Sequence, residues 1–254
     1  MQQRTSLYAI AERINGDVPW GSVLDAGTGI QSARWIAGLA TSRWTAVSAD
    51  PEHLADVRSA VGVAMRPQDR LIAGNWADPA LLSGDVHDTV LADYLLGAIE
   101  GYAPYFQAGI FARLRPLVGR RLFVLGVDPY IIGEATDEAG RLVKEIGRFR
   151  DACALLAGVL PYREYPAEWV VDRLQQAGFR LIYADRFPTS YDSDWIGRQF
   201  GDCRRLMRRV ANGRLADALA AGAETLQTRE ADFCRSHGGL RHGNEYVIAA
   251  EPGS

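Results

Sequence analysis

The sequence predicts an α/β fold built on a largely parallel sheet with helices on both faces, and three observations predict it. Strand-like and helix-like segments alternate strictly through the first half of the chain, a Gly-Thr-Gly turn follows the first strand, and two successive strands end in a carboxylate, Asp25 and Asp50. Parallel strands need a crossover to join them, usually a helix and almost always right-handed, so such alternation leaves the sheet covered on both sides.

Residues 1–16 read as a short amphipathic helix without the apolar core of a signal peptide. Ser22-Val23-Leu24 is an apolar run that stops at Asp25, and residues 31–40 follow with Trp35, Ile36 and Leu39 near helical spacing. WTAVSAD, residues 44–50, reads as a second buried strand, and Pro51 opens the next helix, where proline suits the first turn. Arg70–Gly74 and Asp88–Ala92 predict the third and fourth strands, residues 104–117 a helix, and Arg121–Gly126 the fifth strand.

Helical patterns over 134–158 and 166–177 come next, the latter closed by Gly178, and FRLIYADRF predicts a sixth strand. A mostly helical stretch over 195–236 precedes a last strand at 245–251. With no repeat and no low-complexity linker, one domain over 1–254 is the economical division, with helical insertions at about 133–160 and 190–243. Such insertions often roof a ligand cleft, because open α/β sheets bind ligands beyond the carboxyl ends of their strands.

Of the 254 residues, 48% are hydrophobic and 23% charged, and the formal net charge is −3. That balance argues against a general affinity for nucleic-acid phosphates. The cluster Arg204, Arg205, Arg208 and Arg209 reads as a solvated helix face. Three scattered cysteines without a CxxC pair fit reduced thiols and a cytoplasmic protein, and no apolar run is long enough to span a bilayer. No metal site is expected.

The segment that carries chemistry is Val23-Leu24-Asp25-Ala26-Gly27-Thr28-Gly29. Gly27 and Gly29 allow a sharp turn and a close approach of backbone to ligand. A carboxylate beside such a turn would repel a dinucleotide pyrophosphate, and Ser32 stands where the dinucleotide fingerprint has its third glycine. Asp25 suits S-adenosylmethionine (SAM) instead, with its ammonium and sulfonium. Asp50 can accept both hydroxyls of an adenosine ribose, the alternative being a cap on the next helix.

On these residues the chain resembles the class I SAM-dependent methyltransferases over residues 20–130. VLDAGTG is similar to their first motif, Asp50 to their second-strand acid, Gly74-Asn75-Trp76 to their third-strand motif and Asp88–Tyr94 to their fourth. Val118-Gly119 stands where the family usually has Pro-Gly. The resemblance implies a Rossmann-like, doubly wound, mostly parallel seven-stranded sheet with an antiparallel last strand. It implies SAM as cofactor, Asn75 on the adenine edge, and the end of the fourth strand, with Asp93, beside the methionine portion. Trp76 is a candidate to cover the adenine ring, core packing being the alternative.

Acceptor contacts are expected from Tyr94, Glu100 and Tyr102 after the fourth strand, with Tyr105 nearby, and from Asp128 and Tyr130 after the fifth. These acidic and aromatic side chains suit a small, cationic acceptor. No Asn/Asp-Pro-Pro-Tyr/Phe run follows the fourth strand, so methylation of nucleobase or glutamine amino groups is not favoured. No general base is evident; His237 and His242 read as surface-loop residues. The function expected is methyl transfer to a small molecule. A SAM-binding protein without catalysis and an NAD(P)-dependent oxidoreductase are the alternatives.

Overall fold

The computed structural model describes residues 6–253; the first five residues of the expected N-terminal helix lie outside them. The chain runs α1 (Leu7–Asn15), β1 (Gly21–Asp25), α2 (Ile30–Gly38), β2 (Thr41–Ser48), α3 (Pro51–Val61), β3 (Arg70–Ala73), β4 (His87–Asp93), α4 (Leu95–Tyr102), α5 (Ile110–Leu114) and β5 (Val118–Val127). It continues through α6 (Glu138–Leu156), α7 (Ala167–Gln176), β6 (Phe179–Tyr191), α8 (Ser193–Met207), α9 (Gly213–His237) and β7 (Leu240–Pro252). The seven strands form one sheet in the order β3-β2-β1-β4-β5-β7-β6, six parallel and the last antiparallel.

The expected helix over 104–117 is differently built. A separate helix, α4, comes first; a single-turn helix at Phe106–Gly109 then leads into α5. Tyr94, at φ 48°, and Tyr105, at φ 69°, both adopt the left-handed conformation at the starts of these pieces. Each such non-glycine residue costs on the order of 1–3 kcal/mol, so surrounding packing must hold it.

The order of the strands follows from what the chain can bury. β1 and β4, the central pair, read Ser22–Asp25 and Thr89–Ala92 as unbroken buried runs, as strands covered on both faces require. Leu24, Val90, Val124 and Ile248 join Leu114, Val170 and Leu174 in one apolar core.

The chain divides into two compact units. The first holds the residues up to Val127, Arg163–Arg186 and the chain from Tyr246; the second holds Asp128–Tyr162 and Phe187–Glu245. The second unit has its own core, with Leu142, Val143 and Ile146 of α6, Ile196 and Phe200 of α8, and Ala223 and Cys234 of α9.

Gly126 marks a tight passage in the first unit. A Cβ there would stand 2.5 Å from Cζ of Tyr246, a ring only 1% exposed. Gly126→Ala should therefore destabilise the protein by roughly 1–3 kcal/mol, the cost of overpacking a filled core. Chemical denaturation checks this; an unchanged midpoint contradicts it.

Candidate functional site

The site is built where β1, β2, β3 and β4 end. At β1, the chain turns out of the sheet through two backbone bonds, from Ala26 N–H to Leu91 O (2.8 Å) and from Thr28 N–H to Val47 O (2.9 Å). The glycines serve a different purpose from the sharp turn expected, since neither Gly27 nor Gly29 has a positive φ. Gly27 is needed because a Cβ would stand 2.8 Å from Leu95 Cδ1 and 3.3 Å from Leu95 Cβ, at the start of α4. Gly29 faces open space, where a Cβ would meet nothing within 4 Å.

Ser32, the residue that replaces the third fingerprint glycine, ties the turn together. Its hydroxyl donates to Asp25 Oδ2 at 2.7 Å and accepts from Gly29 N–H at 2.9 Å. Asp25 is 1% exposed, and its Oδ1 has no hydrogen-bond partner of normal geometry among the described residues. Burial pushes its carboxyl up to about 7; the Ser32 hydroxyl pulls the other way and the neighbouring Asp93 adds to the rise.

Asp93, at the end of β4, is likewise raised by burial, to about 6. It accepts a 2.6 Å hydrogen bond from the Tyr8 hydroxyl on α1. The Tyr8 phenol is itself pushed far up, first by burial and then by the Asp93 charge. Among the described residues, no lysine, arginine or histidine acts on either carboxyl. Tyr8 was not among the residues expected from the sequence. It is held by stacking on Trp35, ring centroids 4.8 Å apart, while the Trp35 indole donates to Glu12 at 2.7 Å. Tyr8→Phe keeps the stack and removes the hydrogen bond. It should weaken cofactor binding by about 1 kcal/mol while leaving the melting temperature nearly unchanged, as calorimetric titration would show.

Just after β2, Asp50 is the cap of α3. Oδ1 caps α3, accepting from Glu52 N–H (2.9 Å) and His53 N–H (3.2 Å), while Oδ2 accepts from the Tyr102 hydroxyl at 3.4 Å. His53 Nε2 lies 3.1 Å from Thr28 O, which joins the start of α3 to the glycine turn. Beyond β3, the Asn75 amide donates to Tyr102 O at 2.6 Å and accepts from Ala77 N–H at 2.9 Å, leaving one N–H and one lone pair of its side chain. Tyr102, expected at the acceptor, stands with Asp50 and Asn75.

Two expected contacts are corrected by burial. Trp76 is 5% exposed in the core, its indole donates to Ala26 O at 2.5 Å, and the Arg113 guanidinium lies 5.5 Å from its ring centre. It props the glycine turn from within rather than offering a face to adenine. Glu100 is 4% exposed, bonded by Gln107 at 2.5 Å with Arg163 at 3.7 Å, so it anchors α4 rather than facing an acceptor.

Asp128 and Tyr130 belong to the second unit. Asp128 N–H donates to Asn244 O at 2.9 Å. The Tyr130 hydroxyl accepts from Arg150 at 3.0 Å, and its carbonyl lies 2.9 Å from His242 Nε2. His242 is therefore on β7 rather than in a loop. His237 closes α9, stacked on Phe233 at 3.9 Å. Arg204 and Arg205 are engaged by Gln227 and Asp202. The three cysteines are free and buried. Among the described residues, no cluster of side chains suits a metal ion, and no helix is long and apolar enough to cross a membrane.

No protein-family model and no curated protein sequence matches the chain. Solved structures do. A Bacillus halodurans protein assigned as a methyltransferase superposes with a TM-score of 0.61 at 11% identity, over 98% of this chain and 99% of its own. The mycolic acid cyclopropane synthase CmaA1, complexed with S-adenosylhomocysteine (SAH) and CTAB, gives 0.56 at 13% identity over 97% and 86%. The [4+2]-cyclase SpnF gives 0.55 at 12% identity over 96% and 80%. At these identities the likeness is one of fold. The chain has the Rossmann-like fold of the class I SAM-dependent methyltransferases.

Proposed function

We propose that the protein binds SAM and transfers its methyl group to a small-molecule acceptor. The observation that carries this reading is the pair of carboxyls raised by desolvation, Asp25 buried and Asp93 half-buried, with no cationic side chain among the described residues acting on either. Buried carboxylates are costly unless a positive charge compensates them. A ligand bringing an ammonium and a sulfonium satisfies that need, whereas a pyrophosphate at the same turn would aggravate it. The oxidoreductase alternative is disfavoured for that reason.

In this reading Asp25 and Asp93 hold the methionine end, with Gly29, open on its Cβ side, allowing close approach of the backbone. Asp50, with Tyr102 beside it, takes the ribose hydroxyls, and Asn75 the adenine edge. SAM supplies an activated methyl group on sulfur. The protein's part is alignment and exclusion of water, for which an in-line displacement needs no nucleophile from the chain. Tyr8 fixes the Asp93 carboxylate, and Tyr94, next after it in the chain, is proposed to meet the acceptor.

One neighbour is named for a [4+2] cyclisation, a reaction that moves no methyl group, and this favours a second reading, in which the site holds SAM without giving up its methyl. One experiment separates the two: incubation with methyl-labelled SAM and a panel of small amines, phenols, thiols and carboxylic acids. Label transferred to a panel member supports methyl transfer. Tight SAM binding with no transfer to any of them supports the second reading.

A further inference from the structure

The second unit contains a cavity of about 720 Å³ that the proposed chemistry does not use. Loop 133–135, one face of α6 and Leu226 of α9 line it. Its size is that of a small-molecule site. Arg141, Lys144 and Arg148 recur at helical spacing along that face of α6, with Phe149 and Leu226 as the apolar lining.

The balance of charge here is unusual. Lys144 is 4% exposed, yet its ammonium donates only to two backbone carbonyls, Ile132 O at 2.8 Å and Gly133 O at 2.7 Å. Arg148 Nε donates to a third, Ile131 O, at 3.2 Å. Among the described residues, neither cation has a carboxylate partner. Of the two acids in the lining, Glu145 is already paired with Arg229, and Glu134 stands exposed in the loop. An ammonium has three donors and a guanidinium five, so one N–H of Lys144 and four of Arg148 remain. A buried cation satisfied only by neutral groups is costly, and a negative charge brought by a ligand would relieve that cost.

We infer that this cavity is a binding site for an organic anion, an oxyanion head group on an apolar body. Lys144 and Arg148 receive the head group, bidentate geometry at Arg148 suiting a carboxylate or a phosphate ester equally. Phe149 and Leu226 cover the apolar part. The inference stands apart from the SAM reading, because it rests on residues of the second unit alone and is tested without cofactor.

The test is calorimetric titration of the full chain with octanoate, octyl phosphate, octanol and octyltrimethylammonium. Octanoate or octyl phosphate should bind at one site, the tighter of the two naming the head group, and the neutral and cationic analogues should bind at least roughly tenfold more weakly. Arg148→Glu changes an exposed side chain and should leave the fold intact while weakening the anion by roughly tenfold or more. Lys144→Met should do the same where circular dichroism shows it folded. No binding of either anion, equal binding of the octyl cation, or unchanged affinity in Arg148→Glu would overturn the inference.

Discussion

Asp25→Asn is expected to lower SAM affinity by roughly 2 kcal/mol or more at pH 8, about thirtyfold, and to flatten its dependence on pH. In the native chain, burial holds Asp25 at about 7 and Asp93 at about 6. Both are charged at pH 8, and both take up protons as the pH falls towards 5. A cationic ligand pairs only with the charged forms, so affinity should fall with falling pH, first through Asp25 and then through Asp93. Binding near pH 7 should also release protons, which titration in buffers of different ionisation heat detects.

Among the described residues, the groups facing this pair are Ser32, Thr28, the Gly27 backbone and Tyr8, none of which adds a positive charge. The same shift sets the stability of the ligand-free chain. A raised carboxyl favours the folded state while it stays protonated, so its contribution is present below about pH 4 and is lost as the pH rises through about 7. Asp25→Asn should remove that loss. A folded variant with native SAM affinity, or affinity that rises on acidification, contradicts the assignment.

The second large effect is expected at Asp50, where two roles must be separated. Asp50→Ala removes the cap of α3 along with the proposed ribose contact, and each loss is worth roughly 1–3 kcal/mol. Asp50→Ser keeps a capping oxygen and loses the carboxylate. Its melting temperature should stay close to native while SAM binds at least roughly tenfold more weakly. If Asp50→Ser binds SAM as the native chain does, Asp50 is a cap and the ribose is held elsewhere.

Much of this arrangement was legible in the sequence because a single strand-turn-helix unit concentrates it. Asp25, Gly27 and Gly29 lie within five residues, and Asp50 follows by one helix and one strand, so local pattern alone brings them to one edge of the sheet. The α4 helix was not legible. LLGAIEGY is short and carries two glycines, and it begins at a tyrosine in the left-handed conformation, which no pattern of apolar spacing signals.

Nor could spacing reveal that Tyr8 reaches Asp93, 85 residues on, or that Tyr102 turns back to Asp50. Those contacts depend on how helices settle on the sheet. Spacing likewise left Trp76 open between ligand and core and put Glu100 at the acceptor. Both residue types suit ligands, and only the packing shows that the indole and the carboxylate face inward. The long outer halves of β6 and β7 carry polar and turn-forming residues such as Pro188 and Gly243, so the apolar runs marked only part of each strand.

The most direct test is a crystal structure of the protein grown with SAH. The account predicts the amino group of the homocysteine end within hydrogen-bonding reach of Asp25 or Asp93, and the ribose hydroxyls on Asp50 Oδ2. Nucleoside density away from the ends of β1 and β2, or both of those aspartates left without ligand contact, would contradict it.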